Sequence, residues 1–228
     1  MKRNAFTLIE LIFVVVIVSI LAFVALGRFG TTGELQQATD QLIRHLRYTQ
    51  HLAMMDDHFD PGDGQWYKRG WQLMIHTNGY DDLTGFGYSI YQDRNGNRAM
   101  ETTEFAVDPM DQNLWMSVGL PGWALTPTNE DRLNPQLSLA QSFNIINISR
   151  TGMGTSTRIS FDSLGKPYTT YIAANAIPLV NANPIAQRTW LMAPAQITLT
   201  HADGTCARIQ IEPVTGYVHQ VAAPNPCP

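Results

Sequence analysis

One stretch of the sequence places oxygen-bearing side chains at the spacing of a calcium-binding loop. Within residues 93–104 they occupy loop positions 1, 3, 5, 9 and 12, as Asp93, Asn95, Asn97, Glu101 and Glu104. Alternate positions of a tight loop can aim side chains at one hard cation, and a carboxylate at position 12 closes the shell. Position 6 is Arg98 instead of glycine, which favours an Asn-Gly hairpin turn over a calcium site. The sequence therefore indicates no firm cofactor, and calcium at this loop is the one candidate.

The sequence contains none of the common catalytic motifs. It contains no Gly-x-Ser-x-Gly elbow, His-Glu-x-x-His pair or phosphate-binding loop, and its six histidines are scattered. Its five tryptophans could line a ligand surface, although core packing or interface anchoring accounts for such residues more often. They are Trp66, Trp71, Trp115, Trp123 and Trp190. We therefore expect no enzymatic activity.

The composition argues for a folded chain with an uneven charge distribution. Of 228 residues, 44% are hydrophobic and 15% are charged, against about 25% charged in an average soluble domain. Residues 1–30 carry a net charge of +2, whereas residues 31–228 hold 12 basic and 18 acidic side chains. A nucleic-acid partner would require a basic surface, so nucleic-acid binding is not expected.

The N-terminal segment has the length and apolarity of a membrane-spanning helix. In residues 6–26 only Thr7, Glu10 and Ser19 are polar, and a helix of this length is ~30 Å long, the thickness of a bilayer core. The short basic stretch before it favours a cytoplasmic N-terminus. We predict a single pass through the inner membrane, with the rest of the chain exported. The side chain of Glu10 is energetically unfavourable in lipid, so we expect it to have a partner.

The residues around Glu10 resemble a known motif. Residues 5–11, Ala-Phe-Thr-Leu-Ile-Glu-Leu, resemble the prepilin motif of type IV pilins and type II secretion pseudopilins. The resemblance implies that prepilin peptidase cuts between Ala5 and Phe6 and that the new Phe6 amine is methylated. It also implies that Glu10 pairs with the Phe6 amine of a neighbouring subunit in a filament, which would neutralise a buried charge. Two departures are Ala5, where the family usually has glycine, and Gly27, where many pilins have proline. A plain signal anchor is the alternative.

A second helix is predicted at about residues 34–55, after a break at three glycines, Gly27, Gly30 and Gly33. Its apolar residues recur near the 3.6-residue period of a helix, as Leu35, Ala38, Leu42, Leu46 and Ala53. Its basic residues lie mostly on the other faces, and we expect them to form a solvated surface and no metal site. They are Arg44, His45, Arg47 and His51.

From residue 59 onward, short apolar runs alternate with turn residues, which is typical of β-structure. The predicted strands are 70–76, 88–91, 114–118, 143–148, 157–161, 169–173, 196–201, 206–213 and 217–221. Residues 70–73, 88–97, 158–165 and 197–218 resemble the FimT/GspH class of minor pseudopilins, with insertions at 76–87 and 108–142. The implied fold is α+β and pilin-like: a long N-terminal helix, protruding and apolar in its first half and amphipathic in its second, packs on an antiparallel β-sheet head.

These features divide the chain into three parts. Residues 1–5 are a predicted leader peptide, residues 6–30 a transmembrane and filament-core helix, and residues 31–228 a periplasmic or extracellular head with a β-region at about 66–228. Export would place Cys206 and Cys227 in an oxidising compartment, where we expect a disulfide. Two free thiols or a metal pair is the alternative.

The resulting functional hypothesis is a minor pilin or pseudopilin of a type IV pilus or a type II secretion system. Its expected partners are prepilin peptidase, the inner membrane and other pilin-type subunits. A major pilin is one alternative. A head that binds DNA or a surface is another, from a different functional class.

Overall fold

A computed structural model describes residues 8–57, 59–60, 62–63, 66–76, 85–95, 100–119, 131–171 and 188–228. Within these ranges, the side chains of residues 23–32 and 170–171 are not described. All structural statements below concern this part of the chain.

The N-terminal element is one uninterrupted helix. Helix α1 spans Leu8–Met55, 48 residues, so the break predicted at Gly27, Gly30 and Gly33 is wrong. Each glycine costs about 1 kcal/mol in a helix interior but keeps its backbone N–H donor, unlike proline. Tertiary packing further along a helix can outweigh that penalty.

The described strands of the head form two antiparallel sheets. The first sheet has the order β2-β1-β4-β5-β6, with β1 at Trp71–His76, β2 at Gly87–Gln92, β4 at Arg158–Phe161, β5 at Pro167–Tyr171 and β6 at Arg188–Trp190. The second has the order β3-β7-β8-β9, with β3 at Ile145–Thr151, β7 at Ala195–His201, β8 at Cys206–Ile211 and β9 at Val218–Val221. Every strand pair described is antiparallel.

Short helices occupy the connection between β2 and β3. A 3-10 turn at Pro135–Leu137 is followed by α2 at Leu139–Phe143, which Ser138 caps by accepting a hydrogen bond from the backbone N–H of Gln141. Asn144 ends α2 in the left-handed conformation, with φ at 50°. Another 3-10 turn, Trp66–Lys68, precedes β1.

The second half of α1 packs against both sheets. Its contacts include β1 and β4 of the first sheet and β7, β8 and β9 of the second. The five apolar residues predicted to face the core are 0–6% exposed and belong to one cluster with side chains of both sheets. The helical spacing of residues 35–53 therefore predicted the packed face correctly.

The α+β prediction is confirmed, and most predicted strands are observed with shifted ends. Residues 114–118 form no strand; Trp115 makes only isolated bridges, to Val107 and Leu133. Phe143 belongs to α2 instead of β3. Strand β6, three residues long, was not predicted.

Candidate functional site

The first part of α1 leaves its apolar side chains uncovered. Every large hydrophobic residue from Leu8 to Leu21 is at least 49% exposed. Glu10 lies in the first described turn and is also exposed. Ser19 satisfies its hydroxyl within the helix by donating to the Val15 carbonyl at 2.7 Å. An exposed apolar face of this extent marks a surface for a membrane or another protein.

The predicted processing site and membrane span reach beyond the described residues. Ala5 and Phe6 lie outside them, as do residue 7 and the side chains of 23–30. In the part of the chain that the structure describes, no helix combines the length and apolarity needed to cross a bilayer.

A buried polar contact fixes the middle of the docked half of α1 to the first sheet. The Tyr88 hydroxyl on β2 lies 2.6 Å from Nδ1 of His45, and it accepts a hydrogen bond from Nε2 of Gln41 at 2.9 Å. Nε2 of Gln41 also donates to the Gln136 carbonyl at 2.7 Å. His45 was expected on a solvated surface, but its ring is half-buried and packs edge-on against Tyr88.

Burial governs the ionisation of this contact. It lowers the pKa of His45 to about 4; Asp108 has a smaller effect that raises this pKa, and Arg44 lowers it further. Burial also raises the pKa of the Tyr88 hydroxyl. Both groups are therefore neutral at pH 7, so that Tyr88 donates to the bare Nδ1 of His45 and accepts from Gln41. A sequence signal for this role exists: Gln41 and His45 are four residues apart and directly border the apolar positions 42 and 46.

The last turns of α1 hold two loops of the head. Arg47 donates through Nη2 to the Val218 carbonyl at 2.7 Å, with its guanidinium over the Tyr217 ring. Nε2 of Gln50 donates to the carbonyls of Gly165 and Thr215, at 2.9 and 2.8 Å. These polar side chains attach the β4–β5 and β8–β9 turns to the helix.

Only part of the predicted calcium loop is described. Asp93 and Glu104 are 0% and 2% exposed, which brings the first and last loop positions into the protein interior. Asn97 lies outside the described residues. At intermediate positions, Nδ2 of Asn95 donates to Oε1 of Glu101 at 2.8 Å.

The environment of Glu104 is unfavourable for a carboxylate. Its Oε1 accepts the backbone N–H of Arg94 at 2.8 Å, whereas its Oε2 is buried without a hydrogen-bond partner among the described residues. Burial, with a smaller contribution from Asp93, raises the pKa of Glu104. No group of three His, Cys, Asp or Glu side chains is placed to hold a metal within the described ranges. Calcium binding at this loop stays a prediction.

The two cysteines are joined, as predicted. Sγ of Cys206 lies 2.05 Å from Sγ of Cys227, and the Cα atoms are 5.8 Å apart. The bridge ties the C-terminal segment to the start of β8, and the chain-entropy model gives a loop of this size about 3 kcal/mol. The alternatives of free thiols or a metal pair are thereby excluded for this structure.

Aromatic residues are used mostly for packing. Trp71 and Trp115 are buried, and Trp123 lies outside the described residues. Trp66 and Trp190 are half-buried and flank the guanidinium of Arg188, with ring centroids 5.4 and 5.7 Å from its Cζ. The adjoining cavity of about 20 Å³ has room for one water molecule.

Comparison with known proteins gives information about the N-terminal segment alone. The model of the prokaryotic N-terminal methylation motif matches residues 1–26, a range that contains Ala5, Phe6 and Glu10. No curated protein and no solved structure shows significant similarity to the chain. The FimT/GspH resemblance of the head thus stays a prediction. The matched motif is typical of membrane-anchored pilins and supports a place for this chain among the type IV pilins and pseudopilins.

Proposed function

We propose that this chain is a minor pilin or pseudopilin, a structural subunit of a type IV pilus or a type II secretion pseudopilus. The N-terminal methylation motif at residues 1–26 carries the proposal. In this proposal, prepilin peptidase removes residues 1–5 and the Phe6 amine is methylated. The subunit then resides in the inner membrane, with a cytoplasmic N-terminus and a periplasmic head, until it enters a filament.

The shape of α1 supports assembly through the N-terminal helix. Residues 35–53 bury their apolar stripe in the head, whereas residues 8–21 keep theirs exposed. Such a surface is stable only in lipid or against other apolar helices. These apolar side chains are shielded from water both in the bilayer and in a filament core, so transfer from one to the other does not expose them.

Glu10 has a defined role in this proposal. Once the helices leave the bilayer and pack together, its carboxylate can pair with the Phe6 ammonium of a neighbouring subunit. An ion pair removed from water is strongly destabilised when one partner is deleted. Glu10 therefore fixes the axial position of one subunit relative to the next.

Processing is the first experimental test. Co-expression of the full chain with prepilin peptidase should yield an intact mass that lacks residues 1–5 and carries one added methyl group. Ala5→Trp should block cleavage because a bulky side chain replaces the small residue at the cut, and Ala5→Gly is the matched control that retains it. A mature chain that keeps Met1 in the presence of active peptidase contradicts the proposal.

Assembly is tested separately with Glu10→Gln. This variant should be processed normally and should accumulate in the membrane, but it should be lost from sheared filaments. The matched control is Glu212→Gln, which removes one partly exposed carboxylate from the head and should leave incorporation unchanged. Normal incorporation of the Glu10 variant would show that this residue does not set subunit register.

The abundance of the subunit separates minor from major pilins. A minor subunit should form a small fraction of a sheared filament preparation in quantitative mass spectrometry. If this chain dominates the preparation, it is a major pilin instead.

A further inference from the structure

A cluster of ionisable side chains lies where α1 enters the head. Glu34 immediately precedes Leu35, the first buried side chain of α1 among those described. Its Oε2 lies 3.3 Å from Nε2 of His201, at the end of β7, and Nδ1 of the same ring lies 2.9 Å from Oδ1 of Asp203. The imidazole, 3% exposed, therefore stands between a carboxylate of the helix and a carboxylate of the head.

Neutral groups hold both carboxylates in place. Oδ1 of Asp203 accepts hydrogen bonds from the backbone N–H and the hydroxyl of Thr205, at 2.8 and 2.6 Å. Oε2 of Glu34 accepts from Nδ2 of Asn144 at 2.9 Å, and the Asn144 carbonyl accepts the backbone N–H of Ala202 at 3.0 Å. The ring is consequently the one member of the cluster whose hydrogen-bonding pattern changes with protonation near neutral pH.

The two protonation states of His201 use different partners. A protonated ring donates to both carboxylates, since Nε2–H points to Glu34 and Nδ1–H to Asp203. In the neutral ring that donates to Glu34, Nδ1 has no hydrogen, and it accepts instead from the backbone N–H of Asp203, whose nitrogen lies 3.2 Å away. The neutral state thus loses the hydrogen bond to the Asp203 carboxylate and the positive charge that strengthens the one to Glu34.

We propose that Glu34, His201 and Asp203 form a proton-controlled clamp, which holds the helix firmly to the head when His201 is protonated and loosens when it is neutral. The charged groups that act on the ring, among the described residues, are Glu34 from α1 and Asp203 from the β7–β8 turn. Asn144, which reaches Glu34 from the end of α2, is uncharged. The clamp is a property of the head and does not depend on the proposed function.

The electrostatics give the direction of the switch. Burial opposes the charged form of His201, but the hydrogen bonds to Asp203 and Glu34 outweigh it and raise the pKa of the ring. A histidine whose pKa is raised on folding adds stability that is complete below about pH 6.5 and is lost as the pH rises through the folded-state pKa. Acidification should tighten the junction, and mild alkalinity should release it.

The experiment measures the helix at the junction in the full chain, held in detergent micelles. Hydrogen exchange of the amides of residues 34–38 is followed from about pH 6 to about pH 8.5, the range in which a raised histidine pKa titrates, and is corrected for intrinsic exchange. We expect protection to fall about fivefold, the effect of losing one hydrogen bond. Glu34→Gln should show the lower protection throughout, because it keeps an acceptor for Asn144 but not the charge.

The control is a second histidine–carboxylate pair of the head. Nε2 of His219 lies 3.0 Å from Oε1 of Glu212, and both side chains are partly exposed. Glu212→Gln removes a carboxylate from a histidine in the same way and should leave the exchange of residues 34–38 as in the unmodified chain.

A titration of the ring gives a readout that needs no variant. The His201 imidazole resonances of the unmodified chain, followed by NMR, should report a pKa above 6.5, and Glu34→Gln should lower it. A pKa at or below 6.5 in the unmodified chain overturns the proposal. So does protection at residues 34–38 that is independent of pH, or equal pH responses in the unmodified chain and in Glu34→Gln.

Discussion

Two histidines connect α1 to the head, and the interface shifts their pKa values in opposite directions. The ring of His45, on the helix, contacts the Tyr88 hydroxyl of β2, and burial lowers its pKa to about 4. His201, on β7, meets Glu34 of the helix, and its pKa is raised despite burial, because two carboxylates receive its hydrogen bonds. The more deeply buried of the two rings is the one that stays charged more readily.

The difference shows that partner chemistry decides ionisation at this interface. The Tyr88 hydroxyl can hydrogen-bond fully to a neutral imidazole, and Asp108 offsets only part of the desolvation of a charged His45. The hydrogen bonds to two carboxylates stabilise the charged form of His201 directly. The middle of the docked helix is therefore held by neutral contacts that acid disrupts, and its entry point is held by ionic contacts that alkali weakens.

Acid should produce the largest effect. Because the pKa of His45 falls to about 4 on folding, the unfolded chain binds more protons between pH 6.5 and 4, and stability is lost as the pH falls through that window. The expected loss is on the order of 2–3 kcal/mol per histidine of this type. His76, whose pKa burial also lowers to about 4, contributes in the same direction. Urea unfolding of the head at a series of pH values measures the slope.

His45→Gln isolates the helix contact within that acid response. Glutamine can accept the Tyr88 hydrogen bond but cannot be protonated. The loss of unfolding free energy per pH unit below pH 6.5 should therefore fall to the contribution of His76. An unchanged slope would show that His45 is protonated in the folded protein without penalty, and the contrast with His201 would disappear.

The second prediction concerns the hydroxyl that keeps His45 neutral. Tyr88→Phe should cost about 1–2 kcal/mol, because it leaves the buried Nδ1 of His45 without a donor. Tyr91 offers a matched control, since it is equally buried on the same strand and its hydroxyl has no hydrogen-bond partner among the described residues. Tyr91→Phe should be neutral or stabilising in the same unfolding assay. Equal losses in the two variants would mean that the hydrogen bond to His45 adds nothing.

The sequence predicted the packing of the helix better than its polar contacts. The 3.6-residue spacing from Leu35 to Ala53 identifies the buried face because burial of apolar side chains follows directly from periodicity. The pairing of Cys206 with Cys227 followed from the expected compartment and from having only two cysteines. Neither inference required knowledge of which distant segment of the chain packs against the helix.

The two histidine contacts required that knowledge. Glu34 and His201 are 167 residues apart, and a polar residue that faces a distant carboxylate has the same local pattern as one that faces water. His45 was for this reason expected to be solvated. Strand β6 was not predicted because three residues are too few to show a strand pattern. Residues 114–118 are mostly apolar, but they find no continuous partner strand among the described residues.

Glu104 extends the comparison to a buried carboxylate whose Oε2, unlike that of Glu34, has no hydrogen-bond partner among the described residues. Its pKa is raised, so it lowers stability as the pH rises above about 4.5. Glu104→Gln should therefore raise the melting temperature at pH 7 by a few degrees, equivalent to about 1 kcal/mol. The amide oxygen can still accept the Arg94 N–H. A lower melting temperature would indicate that the carboxylate has a stabilising partner.

Calcium would supply such a partner. If the 93–104 loop binds the ion, millimolar calcium raises the melting temperature of the unmodified chain relative to a chelator, and the increase grows with concentration. Glu104→Gln, which removes the carboxylate of loop position 12, should abolish the increase. Identical melting in calcium and chelator would leave the Asn-Gly turn as the interpretation of this segment.

The smallest effect is expected at the exposed pair of Glu212 and His219. Their atoms are 3.0 Å apart, a closer approach than that of Glu34 to His201, and hydrogen bonds from Gln210 and then His219 lower the pKa of Glu212. Exposed pairs nevertheless contribute little, because water screens the charges and both side chains lose freedom. Glu212→Gln should leave the melting temperature unchanged within error at pH 6 and at pH 8, whereas Glu34→Gln should lower it at pH 6 and much less at pH 8. If the two variants behave alike, burial of the His201 ring does not strengthen its ion pairs, and distance alone is left to rank the two contacts.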